Sequence, residues 1–281
     1  MKSTSSKKTS FGIAATLLTV AMTGVASNAQ ADDTWSFKDV SINQFFWSGR
    51  TKDNTENGFA KKADFTYLEI EGGLGGKWGD IYGFFDIENP LNSGYEEPKT
   101  KDRRFAMKAS ANFNLFEVGG LPVQLHMQVY DFKDRGFNDQ NRVAGIGTAI
   151  FKGDFWIKPF IGFHQEIKSD GDSNFATGAH MNGGMFGWVL GYSFKLGGQS
   201  MMITNWHETE FARKELYRFM ADVGSNGAPG LGSAVGQNGA VSLWWNINKS
   251  FTVGTTYRYA SHKLGSATYQ DGLILTGRFN F

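Results

Sequence analysis

The side chains with chemistry to offer stand at every second position of two short runs. In 79–87, Asp80, Tyr82, Phe84 and Asp86 alternate with Ile81, Gly83, Phe85 and Ile87, and just upstream Tyr67, Glu69 and Glu71 alternate with Leu68 and Ile70. A period of two sends each set to one face of an extended chain. Carboxylates on a shared face accept hydrogen bonds from hydroxyl groups, and rings set among them give a planar solute a stacking surface, each worth ~1–3 kcal/mol if that solute is a base. This is recognition chemistry, with no bond broken.

Further alternating runs add Asp39, Asn43, Phe45, Arg104, Lys108, Gln124, His126, Gln128, Tyr130, Trp156, Lys158, Phe160, His164, Trp244 and Arg258 to the polar or aromatic face. Two readings of the charges stand side by side. Acids and bases neutralise one another across a narrow interior, because buried ionic groups must be paired or hydrated; or the carboxylates and amides join the rings in holding a solute. The rings Tyr67, Tyr82, Phe84, Tyr130, Trp156 and Phe160 favour the second reading, since filling space or passing salt has little need of them.

Other chemistries lack their residues. The 5 His are scattered without an HxH or HxxxH pair, and 0 Cys removes thiolate sites, disulfides and a Cys nucleophile. No GxSxG, P-loop or dinucleotide fingerprint occurs, and the Gly-rich stretch 224–239 has the look of an external loop. A barrel hydrolase or acyltransferase is the alternative functional class. It needs a Ser or His set at the rim, and His164-Gln165-Glu166 and His207-Glu208 are too generic to supply one. No catalytic residue, metal ligand or cofactor is therefore expected. With 28 basic and 27 acidic residues the net charge is +1, which attracts no nucleic acid.

The elements that must position these residues are strands. Alternating runs of about ten residues, the length of a tilted membrane-crossing strand, predict strands near 35–46, 64–72, 78–87, 103–115, 121–131, 142–151, 154–166, 184–196, 199–208, 239–247, 250–260 and 270–281. The facing of Val143 to Phe151 and of Met201 to Trp206 is ambiguous. The other face of these runs is almost free of charge, as hydrocarbon demands and as the outer face of a periplasmic β-sandwich would not be. No mature segment is apolar enough for a spanning helix, so a membrane position requires a closed barrel. The expected fold is thus all-β, a transmembrane antiparallel β-barrel of about twelve strands.

Connections and chain ends agree with this. Long segments (47–63, 88–102, 132–141, 167–183, 209–238, 261–269) alternate with short ones (72–76, 152–153, 197–198, 248–249), as external loops alternate with periplasmic turns. Lys2, Lys7 and Lys8, an apolar stretch from Phe11 to Val25 and Ala29-Gln30-Ala31 follow the order of a secretory signal, with cleavage expected after Ala31. Residues 1–31 are then the signal peptide and 32–281 the barrel domain. The last strand ends Leu273, Leu275, Gly277, Phe279, Phe281, resembling the C-terminal signal read by the barrel assembly machinery.

The run Phe65-Thr66-Tyr67-Leu68-Glu69-Ile70-Glu71 followed by Gly79-Asp80-Ile81-Tyr82-Gly83-Phe84-Phe85-Asp86 resembles the Tsx-like nucleoside-specific channels and the related OmpK porin, whose members carry close YLE-x-E and D-x-YG-[YF]-x-D runs at this separation. Asn226-Gly227, Trp244-Trp245 and the closing aromatic strand are consistent with it. The resemblance implies a monomeric twelve-stranded barrel in the outer membrane of a Gram-negative bacterium. Outer-membrane lipid and lipopolysaccharide would surround it, its narrow channel would admit nucleosides and deoxynucleosides, and its loops would serve phage or colicin as a receptor. It also implies a base-stacking ring near the mouth, for which Phe59 and, on physical grounds, Phe45 are the alternatives. Tyr67, Glu69, Glu71, Asp80, Tyr82, Phe84, Asp86, Tyr130, Trp156, Phe160 and Arg258 complete the expected solute-binding set. A nonspecific or differently selective porin used mainly for surface contact is the competing expectation.

Overall fold

The computed structural model describes residues 34–56, 60–170, 178–220 and 230–281. The expected signal segment 1–31 lies outside them. Twelve long strands run in chain order: Trp35–Trp47 (β1), Phe65–Gly76 (β2), Gly79–Glu88 (β3), Arg104–Val118 (β4), Leu121–Asp134 (β5), Phe137–Gly147 (β6), Phe155–Asp170 (β7), Gly178–Leu196 (β8), Gln199–Phe211 (β9), Gly236–Asn246 (β10), Phe251–Lys263 (β11) and Ser266–Asn280 (β12). Each pairs antiparallel with the next, and β12 pairs with β1, so the sheet closes as a barrel with no free edge. Ile150–Lys152 adds a short pairing to the start of β7.

Closure satisfies every ladder from within, which is what a chain surrounded by hydrocarbon requires. The outward face is accordingly greasy to its middle. Ile42 and Ile70 are 58% and 59% exposed at the centres of β1 and β2, a placement that only a nonaqueous surround makes favourable. Replacing Ile70 by Arg should cost ~2–4 kcal/mol of barrel stability, whereas Arg in place of the lumen-facing Ser110 should cost far less. Urea unfolding of both variants in lipid vesicles, giving equal losses, would contradict the assignment of faces.

Two of the expected long connections are absent. β5 and β6 meet through Arg135-Gly136, and β11 and β12 through Leu264-Gly265, with Gly136 at φ +73° and Gly265 at φ +79°. The strands there rise past the apolar band, and once both faces are wet nothing compels alternation, so strand reads as loop. The stretch 72–76 also differs from expectation. It belongs to β2, and the turn is Lys77-Trp78. The expected loop 209–238 is shortened by β9 and β10 from both sides; 221–229 lie outside the described residues.

The two ambiguous strands resolve cleanly. Val143, Gly145 and Gly147 pair with inward residues of β5, and Met202, Thr204 and Trp206 face inward opposite Ser193, Gly191 and Val189.

Glycines shape the wall. A Cβ at Gly191 would meet the Trp156 ring at 2.5 Å, and one at Gly187 the Phe160 ring at 2.9 Å; Gly254 lies likewise under Trp244 and Gly272 under Phe45. Each ring lies on bare backbone of the neighbouring strand, a close approach that only glycine permits. Part of the high glycine content of the sequence thus serves its aromatic rings.

Candidate functional site: a side-chain-lined lumen

Strand register carries one face round the barrel. Asp39 stands opposite Glu71, Asn43 opposite Tyr67 and Phe45 opposite Phe65; Glu71 in turn faces Phe84 and Glu69 faces Asp86. Phe84 meets Lys108, Lys108 meets Tyr130, and Asp80 meets Asn112, beyond which lies His126. On the far side Trp156 faces Gly191, and Arg258 lies between Ala240 and Gly272. The inward face therefore holds Phe45, Tyr67, Glu69, Glu71, Asp80, Tyr82, Phe84, Asp86, Tyr130, Trp156, Phe160 and Arg258. Phe59 lies outside the described residues.

Their surroundings differ. Phe45 is 6% exposed, stacked on Trp47 at 4.2 Å and against Phe65 at 5.3 Å, so it supports the wall and presents little face to a solute. Tyr67, Glu69, Glu71, Tyr82, Phe84 and Asp86 on β2 and β3 are half-buried, and so are Trp206 on β9, across the barrel from β3, and Arg258 on β11. These inward side chains keep part of their surface exposed.

Near the periplasmic end, Lys158 of β7 reaches Asp80 of β3 at 2.9 Å and sits over Trp35 at 4.9 Å and Trp156 at 5.9 Å. Asp80 also accepts from Asn112 Nδ2 at 2.9 Å, and His126 Nδ1 lies 2.8 Å from Asn112 Oδ1 with its ring stacked 4.0 Å from Phe160. Arg278 lies 3.3 Å from Asp39 and 3.0 Å from Glu71.

At mid-height Lys108 Nζ of β4 meets Glu208 Oε1 of β9 at 2.6 Å, and Gln128 Nε2 of β5 donates to the same oxygen at 2.8 Å. These strands stand on opposite sides of the sheet order, so the pair forms a bar across the lumen. Beside it Arg258 lies 4.6 Å above the Trp206 ring and donates to the Gly239 and Tyr259 carbonyls at 2.9 and 2.8 Å.

Toward the extracellular end a buried ionic knot ties β7, β8, β9 and β11 together along one side of the interior. Glu210 holds Lys263 and Arg213, and Glu166 holds Lys168 and Asn182. Tyr217, carried on the loop after β9, is 1% exposed and donates to the Glu166 carbonyl at 2.9 Å. Burial raises its hydroxyl above the ordinary tyrosine range, which keeps it a donor.

Most lumen charges are thus paired, as the first reading of the charges expects, while the rings of β2 and β3 stay accessible, as the second requires. Reading of the sequence missed Trp206, Glu208, Glu210 and Arg278. The period-two pattern of β9 held the signal for the first three, obscured by polar Asn205 and His207 on its outer face. His207 there stacks on Trp188 at 4.6 Å and bonds Tyr259 and Thr209. Among the described residues no group of three or more His, Asp or Glu is arranged to hold a metal ion.

A family model described as nucleoside-specific channel-forming protein, Tsx, matches residues 42–281. Among solved structures, the chain is similar to the NanC porin at 10% identity and TM-score 0.48, covering 86% of this chain and 100% of that one. It is also similar to the Salmonella typhi outer membrane phospholipase (OMPLA) dimer with bound calcium, at 9% identity and TM-score 0.45 over 86% and 89% of the two chains. The channel DcaP of Acinetobacter baumannii gives 9% and 0.38 over 90% and 99%.

Proposed function

Because the chain belongs to the Tsx family of nucleoside-specific channel-forming proteins, we propose that its lumen passes nucleosides and deoxynucleosides down their gradient, selecting them by stacking and hydrogen bonding. The observation that carries the reading is the set of inward, half-buried side chains Tyr67, Glu69, Tyr82, Phe84 and Asp86 on β2 and β3, with Trp206 and Arg258 inward on β9 and β11. A base fits between rings, and a ribose offers hydroxyls to carboxylates. The lumen cations are mostly bound to carboxylates, so among the described residues no ladder of free Lys or Arg awaits a phosphate.

The reading is non-enzymatic. His126 and His164 are held by Asn112 and Asn141, and His207 faces outward, so these three histidines serve the wall. Residues 1–31 fit a segment that directs export, and the closing strand fits recognition by the barrel assembly machinery.

In planar bilayers, adenosine should block the small ion current of the purified protein at sub-millimolar concentration. A current indifferent to every nucleoside would remove this reading and leave a second one, a contact surface for phage or colicin. That reading is favoured by Leu91 and Tyr95, 97% and 81% exposed on the loop between β3 and β4.

A further inference from the structure

On β4, β5 and β6 the outer face changes character where the apolar band ends. Phe85, Phe105 and Met107 border an outward groove of about 330 Å³ whose other lining includes Asp131 and Lys133. Lys133 stands opposite Phe105, and Arg142 opposite the outward Val129. Arg103, two residues before Phe105, is exposed, as are Lys133 and Arg142.

These three cations differ from those inside the barrel. Lys108, Lys158, Lys168 and Arg278 each hold a carboxylate. At the rim the ion pairs Lys99–Asp134 and Arg135–Asp102 involve neighbouring residues. Among the described residues no carboxylate lies within ion-pair distance of Arg103, Lys133 or Arg142. Arg142 Nε donates to Gln140 Oε1 at 2.6 Å, and the Gln140 amide donates to Asp131 at 3.1 Å, so Asp131 is engaged by an amide. Long cationic side chains at the edge of the apolar band reach the headgroup layer, and the rings beside them face acyl chains.

We propose that this surface binds a phosphorylated glycolipid of the outer leaflet, with an acyl chain in the groove formed by Phe85, Phe105 and Met107 and its sugar phosphates against Arg103, Lys133 and Arg142. The site rests on the outer-membrane position of the barrel and is independent of what passes through the lumen. Long cationic side chains suit it, since their stems lie along apolar surface while their heads reach anions.

Native mass spectrometry of the detergent-purified protein with bisphosphorylated lipid A, dephosphorylated lipid A and phosphatidylglycerol tests the proposal. Bisphosphorylated lipid A should remain as an adduct far more than the other two. The triple variant Arg103→Ala, Lys133→Ala, Arg142→Ala should weaken it by about 100-fold, at roughly a factor of five per cation, while its adenosine block stays that of the parent. Equal retention of all three lipids by the unaltered protein would overturn the proposal, as would undiminished lipid A binding by a folded triple variant. The comparison of lipids decides the matter alone if the variant does not fold.

Discussion

Replacing Lys108 by Ala should raise the single-channel conductance roughly two-fold, because it removes one half of a bar that spans the lumen. Lys108 Nζ and Glu208 Oε1 are 2.6 Å apart, with side chains 20% and 14% exposed, and Lys108 also lies 5.7 Å from the Trp206 ring. Nothing else described in the barrel joins β4 to β9 by a hydrogen bond. Glu208 keeps the Gln128 amide after the substitution, so the barrel loses a chord and retains a hydrogen-bonded carboxylate. Glu208→Ala should widen the channel in the same direction, whereas Lys108→Arg, which preserves the bridge, should leave conductance near that of the parent. If both alanine variants conduct like the parent in planar bilayers, the narrowest point of the passage lies elsewhere.

The second large effect concerns recognition. Tyr82 and Phe84 are inward neighbours on β3 with ring centroids 6.4 Å apart, and Phe37 approaches Tyr82 at 6.3 Å. Replacing both Tyr82 and Phe84 by Ala should raise the adenosine concentration needed for half-block by about 30-fold or more, from stacking of ~1–3 kcal/mol for each of the two rings. Basal ion current should rise only modestly, because the Lys108–Glu208 bar remains. The pattern separates selective from nonspecific passage: in a nonspecific porin the double variant would conduct more and show no change in nucleoside sensitivity. Together the variants of Lys108 and of Tyr82 and Phe84 divide the lumen's work into gauge and affinity.

How much of this was legible in the sequence follows from where the surroundings constrain a residue. Within the bilayer, hydrocarbon on one side and water on the other force a division of side chains, so β3, with Asp80 to Asp86 inward and Ile81 to Ile87 outward, reads directly. Above the bilayer that force vanishes, and the tight hairpins at Arg135-Gly136 and Leu264-Gly265 looked like loops. The glycines 72–76 read as a turn because their role is to make room: Gly73 and Gly75 lie under the rings of Phe37 and Trp35, and sequence alone does not reveal what a missing side chain accommodates. β9 was obscured by Asn205 and His207, polar groups on the outer face satisfied by Trp188 and Tyr259 from other strands. The bar between Lys108 and Glu208 joins residues 100 positions apart, and no local pattern predicts such a pairing. The inward residues were therefore readable one at a time, and their partnerships were not.

The rings that rest on bare backbone give such a channel an unusual means of adjustment. Besides the bar of Lys108 and Glu208, its bore depends on positions that contribute no side chain at all. A single methyl introduced behind Trp156 or Trp244, at Gly191 or Gly254, would act as a shim, tipping the indole toward the axis while every group that meets the solute keeps its identity. Calibre and chemical preference can thus drift separately, the first through alanine and glycine exchanges on one strand, the second through the rings and acids of its neighbour.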